Sequence, residues 1–518
     1  MAAQPKNMPA DTTSAPDMKL FYACFIALVT TAFGFILRAL ILPQWGHDFN
    51  LTQTQLGEIA GVGLWPFAIS IVLFSLVIDK IGYKTAMIFA VICHIASAIL
   101  TIFASGYWML YIGSFICAIG NGTVEAVANP VVATMFPKQK IKWLSMLHAG
   151  WAGGLVLGGV MALLLGVTTR WEYKIALILI PTLTYAFMMI SRKFPLNERV
   201  QAGVSYKEML QEVGAGGALI IVALIIFQLG AVFGWATTTN VIITLLITAG
   251  FGYYTRSFGQ PLFIVLLLIM IPLATTELGT DSWITDLMTP EMNKIGFQAG
   301  WVLVYTSAIM FILRFFAGPI SHKFSSPGLL AICSAIAGIG LYIMSFSAGT
   351  MILVAATIYG LGKSFFWPTM LGMVSERFPK GGALTLNIIG GLGMIAAGVI
   401  GAGILGFIQD KSVDKKISYY DTANHTSIHN TYVTEQKTSF FGDYKALDQT
   451  KLAKADANQQ VTVTTIRDAA KKEALRYIVI FPLIMLISFL LLIVYFRSKG
   501  GYKVVLLNKA EEPESTPY

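Results

Sequence analysis

The feature that most limits what this chain can become is the recurrence of apolar runs about twenty residues long, separated by short hydrophilic breaks. A run of that length wound as an α-helix crosses the hydrocarbon core of a bilayer. In lipid only helices and closed barrels satisfy every backbone polar group, and barrel strands would read as short alternating segments. The runs fall at about 20–42, 56–78, 85–105, 108–136, 143–167 and 173–191, then 215–234 and 238–254, then 259–287, 297–320, 328–346, 350–375, 382–408 and 475–496. The fold class expected is an all-α polytopic membrane protein of fourteen transmembrane helices, ordered six, two and six.

Composition agrees: 56% of residues are hydrophobic and 12% charged, where a soluble domain carries roughly a quarter charged. The net charge of +9 forms no continuous basic face, so no nucleic-acid partner is expected. The basic residues instead orient the chain. Lys80/Lys84, Lys138/Lys140/Lys142, Arg192/Lys193/Arg199/Lys207, Arg256, Lys323, Arg377/Lys380 and Arg497/Lys499/Lys503 all fall on one side, with Arg170, Lys174 and Lys294 as exceptions. By the positive-inside rule that side is the cytoplasm, and both termini lie there. The expected divisions are a tail at 1–19, a six-helix bundle at 20–192, a linker and inserted helix pair at 193–256, a second six-helix bundle at 257–497 and a tail at 498–518. A long external loop at 409–473 interrupts the second bundle, and its Ala/Lys/Asp-rich second half suits a helix leading into the last span. The first helix is read as retained, being too long for a signal-peptide core. Cys24, Cys93, Cys117 and Cys333 lie within apolar runs without metal or disulfide spacing. His425 and His429, four apart, read as residues of a solvated loop. No cofactor is expected, and the absence of a Walker lysine loop argues against an ATP-driven pump.

Glu125 is the residue around which function is read. It sits in the run from Trp108 to Phe136, and Asn121, Glu125 and Asn129 at i, i+4 and i+8 share one helix face. A carboxylate at membrane depth is costly when ionised, so it faces the bundle interior and is suited to load and release a proton. An internal repeat surrounds it. Gly120-Asn-Gly122, Pro130 and Phe136-Pro-Lys138 recur as Gly360-Leu-Gly362, Pro368 and Phe378-Pro-Lys380. Such a repeat points to a transporter of two related bundles with a site at their interface.

Ser75-Leu-Val-Ile-Asp79-Lys80-Ile-Gly82-Tyr83-Lys84 resembles the loop signature of the major facilitator superfamily, with Ser75 and Tyr83 departing from it. Gly318-Pro-Ile-Ser-His322-Lys323 looks like a decayed second copy, with His322 where an Asp would stand. Glu125-Ala-Val-Ala-Asn129-Pro130 is similar to a stretch of the fucose:proton symporter group, as are Leu42-Pro43-Gln44 and Leu51-Thr52. The acidic position of that group's first helix falls here at Ala39, beside Arg38. The resemblance implies a major facilitator fold, two six-helix bundles plus the inserted pair, and a part for Glu125 in proton and sugar handling.

Other polar residues in apolar runs complete the candidate site. Arg38 either faces an anion or snorkels to the outer surface. Glu277, Thr280 and Asp281 share a helix face with Trp283 beyond; they are solute or cation ligands if the helix continues, and surface groups if it ends near Glu277. His148 with Trp151, and Lys363 with Trp367, pair polar groups with aromatic faces that suit a sugar. Tyr305, Gln228 and Asn387 fit interhelical hydrogen bonds as well as solute contacts. Asp79, Lys84 and Arg314 are read as gate electrostatics, and the Gly-rich stretches 150–166 and 390–406 as surfaces for close helix approach. The function expected is proton-coupled import of a sugar or similar polar small molecule by a monomer in a bacterial inner membrane, with sodium an open alternative as coupling ion. An organic-anion carrier, using Arg38, Lys363 and His148, and a non-transporting sensor are the rival readings. Enzymatic chemistry is not expected.

Overall fold

The computed structural model describes residues 16–507 apart from 52, 167, 295, 440 and 441. Of the expected tails, residues 1–15 and 508–518 lie outside the described residues, as do the side chains of Trp283 and His322. Fourteen helices carry the apolar runs. They are α1 Met18–Asp48, α2 Gln55–Ile81, α3 Tyr83–Ile102, α4 Tyr107–Met135, α5 Lys140–Leu164, α6 Trp171–Met189, α7 Tyr206–Phe233, α8 Thr237–Thr255, α9 Pro261–Ser282, α10 Gly300–Phe315, α11 Ser326–Met344, α12 Met351–Arg377, α13 Pro379–Asn424 and α14 Ala457–Ser498. Among the described residues twelve are long and apolar enough to cross a membrane. The other two of the fourteen fall short for separate reasons: α8 is diluted by threonines and tyrosines, and α10 has 16 residues.

Local chemistry sets several boundaries. Asp17 caps α1 by accepting from the Lys19 and Leu20 amides at 3.0 and 3.2 Å. Ser205 and Glu208 form a capping box at the start of α7, and Gly234, left-handed at φ 68°, ends it. Pro261 opens α9, where its missing N–H costs nothing.

The first six helices pack as one group, α1 on α5 and α4 on α2 and α3; in the last six, α11 lies against α12 and α14. The two groups meet where α5 packs on α10 and α12, and α2 on α13. Glycine makes α5 able to serve both sides. A Cβ at Gly154 would stand 2.6 Å from the Ala32 Cβ and 2.8 Å from the Val29 carbonyl oxygen in α1, while one at Gly153 would stand 2.8 Å from the Phe311 ring in α10. In lipid, where burial of apolar surface drives nothing, such close approach is what holds helices together.

Helices α13 and α14 are 46 and 42 residues long. At 1.5 Å per residue that is roughly 70 and 60 Å, about twice a bilayer's hydrocarbon core, so both overhang it. The overhangs, at the end opposite the Lys-rich loops, carry a small folded cap. A short helix Ile428–Tyr432 and a hairpin of β1 Glu435–Ser439 antiparallel to β2 Gly442–Ala446 complete it. The cap has its own core, with Val413, Ile417, Tyr432 and Val463 buried together. Lys472 fastens it to the membrane part, donating to Glu291 at 2.8 Å and to the Ser347 carbonyl at 3.2 Å.

Candidate functional site

The packing between the helix groups leaves a cavity of about 20 Å³ lined by Phe67, Glu125, His148, Trp151, Glu277, Leu278, Arg314, Trp367 and Met394. That volume holds about one water molecule. Glu125 and His148 come from α4 and α5, Glu277 from α9, Arg314 from α10 and Trp367 from α12. The site is thus shared by both groups.

Breaks in helical hydrogen bonding help to build it. Pro130 has no amide hydrogen, so the Ala126 carbonyl in α4 loses its usual donor. Asn387 of α13 supplies one across the interface, its Nδ2 donating at 2.9 Å. In α9, Pro272 is followed by a π-turn over Thr275–Gly279, and the Tyr359 hydroxyl of α12 donates to the Thr276 carbonyl there at 2.8 Å. The bulge turns Glu277 toward the cavity, and the helix continues past it to Lys294. Asp281 therefore lies inside a helix and is buried.

Arg314 is the hub. Its Nη1 donates to the His148 carbonyl at 2.6 Å, its Nε to the Ser364 carbonyl at 2.9 Å, and its Nη2 to Glu277 Oε1 at 3.2 Å. One guanidinium so ties α5, α9 and the kink in the middle of α12. Sequence reading placed Arg314 at a gate near the Lys-rich end; the structure places it against the cavity, fully buried beside a carboxylate. Glu125 accepts from Asn129 Nδ2 at 2.6 Å, and Asn129 Oδ1 stands 3.0 Å from His148 Nε2, so a continuous polar chain reaches from α4 to α5. Glu277 Oε2 meets no side-chain donor, and the Trp367 amide lies beside the carboxylate.

Other candidates fall elsewhere. Lys363 and Asp281 form a closed pair beside the cavity, Nζ donating to both carboxylate oxygens at 2.5 and 2.6 Å, with the Tyr359 ring 5.0 Å from the ammonium. Asn121 shares a helix face with Glu125 but hydrogen-bonds His94 at 3.0 Å, and His94 in turn meets Tyr185 at 3.0 Å. Arg38 neither reaches the cavity nor snorkels. It is buried within the first helix group, donating to the Gly34 carbonyl, Cys117 Sγ and Ser97 Oγ at 3.0, 3.2 and 2.7 Å. Tyr305 is 38% exposed and bonds Thr357, on the outside of the bundle. Sequence reading missed Tyr359 and His94, although Tyr359 stands four residues before Lys363 on one helix face.

At the Lys-rich end the linker closes over both groups. Arg199 donates to Asp79 Oδ2 at 2.5 Å, and Lys84 donates to the Ile190 carbonyl at 2.7 Å. Lys140 of α5 joins Glu198 at 2.7 Å and the Ser375 carbonyl of α12 at 3.2 Å. From sequence Lys140 was read only as an orienting charge and Glu198 not at all, because a charged loop residue looks the same whether it is solvated or bridging. Among the described residues no cluster of side chains suits a metal ion.

Comparisons with known proteins agree with this architecture. The tetracycline resistance protein, class B, of Escherichia coli is 28% identical over 143 residues, 26% of this chain and 35% of that protein. The gentisate transporter of Corynebacterium glutamicum is 22% identical over 192 residues, 36% and 42% of the two chains. The chain thus spans less than half the length of these curated relatives. The crystal structure of the transporter FucP in the outward conformation superposes with a TM-score of 0.54 at 17% identity, covering 90% of this chain and 98% of that one. The family model of the Major Facilitator Superfamily matches residues 23–281, half of the chain. With the fold and the match together, the chain belongs to the Major Facilitator Superfamily of membrane transporters.

Proposed function

We propose that this protein carries a sugar or similarly polar neutral solute across a bacterial inner membrane by alternating access, coupled to protons through Glu125. The observation that carries this reading is the make-up of the cavity: two carboxylates and one guanidinium, flanked by the indoles of Trp151 and Trp367. Of the cations an anion carrier would use, Arg38 is bound inside the first helix group and Lys363 is closed on Asp281. Arg314 is left facing two acids, which suits a neutral solute better than an anion. Glu277 Oε2, which no side chain engages, is a ready acceptor for a solute hydroxyl, and aromatic faces suit a sugar ring.

The coupling follows from shared charge. Arg314 holds Glu277 directly, and its field also reaches Glu125. Removing a proton from Glu125 sets a second anion in competition for one guanidinium, which biases the bonds Arg314 makes across the interface. A cavity the size of one water admits no sugar, so loading requires the helix groups to part. The groups are 20–192 and 257–497 in this reading, with 193–256 at their junction, both termini cytoplasmic, and Asp79, Lys84, Arg199 and Lys140 as the inner gate. The names of the relatives range from tetracycline resistance to gentisate transport and select no solute.

Purified protein in liposomes, given a proton gradient and panels of neutral sugars and organic anions, tests the proposal. Accumulation of a neutral sugar that collapses with an uncoupler is expected; accumulation of anions alone, or of no solute, would overturn it.

A further inference from the structure

The cap holds a feature that the transport reading does not use. On the overhang of α13, Lys411, Lys415, Ser418 and Thr422 recur every three or four residues and so share one helix face. With Tyr419 beside them, they line an open cavity of about 540 Å³ whose far wall is Tyr444 and Lys445 of β2 and the His429 ring. That volume lies within the range of small-molecule sites, roughly 300–1,000 Å³.

Like charges four apart on a helix repel. Among the described residues Lys411, Lys415 and Lys445 make no close ion pair, although the field of Lys415 reaches Glu473. The next lysine behaves differently, Lys416 turning away to Glu473 at 3.1 Å. Asp414 in the cavity wall is engaged by His429 Nε2 at 2.5 Å, and Asp410 by the Tyr444 hydroxyl, so both nearby acids have partners. Lys411 is steadied by the Phe407 ring, its Nζ 4.6 Å from the centroid, and that ring meets Tyr444 edge-on at 5.2 Å. Tyr419 is 78% exposed, an aromatic face left bare beside the ammonium groups.

We propose that this cavity is a second binding site, for an acidic saccharide. The three ammonium groups receive its carboxylates, the Tyr419 ring stacks on a sugar face, and Ser418 and Thr422 bond its hydroxyls. A bare phosphate or sulfate would satisfy the lysines and leave the ring and hydroxyls unused, which is why the class is a sugar acid. The site lies in the cap, apart from the central cavity, and substitutions at cap residues distinguish binding here from binding there.

Calorimetric titration of the full-length protein with trigalacturonate, and in parallel with neutral maltotriose, tests this. Trigalacturonate is expected to bind and maltotriose is not. Lys411→Ala with Lys415→Ala, and separately Tyr419→Ala, should each weaken binding by roughly tenfold or more, as loss of charge-assisted or stacking contacts does. These side chains are exposed, so an unchanged melting temperature shows that the cap is intact. Lys19→Ala, at the opposite end of the molecule, should bind as the parent does. Absence of trigalacturonate binding, equal binding of maltotriose, equal weakening by Lys19→Ala, or full displacement by sulfate at matched ionic strength would overturn the assignment.

Discussion

Replacing Lys363 by Met tests whether the most deeply buried cation of the second helix group is structural. Lys363 is 0% exposed and bonds both oxygens of Asp281, itself 5% exposed. The variant leaves a carboxylate inside the bundle without its direct counter-ion, since the Tyr359 hydroxyl at 3.5 Å already donates to the Thr276 carbonyl and Arg314 acts only through its field. Breaking a buried pair in this way costs about 3–5 kcal/mol, whereas removing both charges is often close to neutral. Lys363→Met and Asp281→Asn should therefore each lower stability by about that amount, and the double variant should recover most of the loss. Unfolding of detergent-solubilised protein, followed by indole fluorescence, reads the three values. Single variants costing under about 1 kcal/mol, the level of a solvated pair, would refute the reasoning. So would a double variant as unstable as the sum of the two.

Three further outcomes are expected. Arg199→Ala removes the partner of Asp79 and should open the Lys-rich end, so that a cysteine placed at Ser145 is alkylated faster than in the parent; an unchanged rate would remove Arg199 from the gate. Gly154→Val should cost about 1–3 kcal/mol or more by forcing α1 from α5, read as loss of a monodisperse peak in size-exclusion chromatography, and an undisturbed peak would contradict the packing described. For Glu291 at the cap junction burial disfavours the charge, but Lys472 and Lys294 outweigh it and hold the carboxyl below the usual range. A lowered folded value means stability that is present above the unfolded value and lost as pH falls through the folded one. The melting temperature of the parent should therefore exceed that of Glu291→Gln at neutral pH, with the difference shrinking as pH falls past the ordinary glutamate value of about 4.3 and gone below the lowered folded value. A difference independent of pH would exclude the ion pairs as its source.

Much of the architecture was legible because the bilayer imposes one length on every spanning helix, and the repeated loop motifs named the family. The site was legible residue by residue and not as a set. Glu125, His148, Trp151, Glu277 and Trp367 announced themselves as polar or aromatic groups in apolar runs, and they do meet. Asn121 and Arg38 gave the same signal and belong to a separate network, because helical spacing gives a shared face but not which neighbour that face meets. Arg314 was misplaced for a related reason: distance along a helix does not reveal that the π-turn in α9 brings a carboxylate, and the break in α12 a carbonyl, to its level. The cap was read as a loop because its hydrophobic residues are too sparse to show a period, and its core closes only when α13 and α14 overrun the membrane side by side.

The most direct test of the account is the Glu125→Gln variant in liposomes, with solute uptake measured twice on the same preparation. With a proton gradient, accumulation above equilibrium should be lost; without one, exchange of labelled for unlabelled solute should persist, since the cavity and the Asn129 contact survive the change. Accumulation equal to that of the parent would contradict the role given to Glu125.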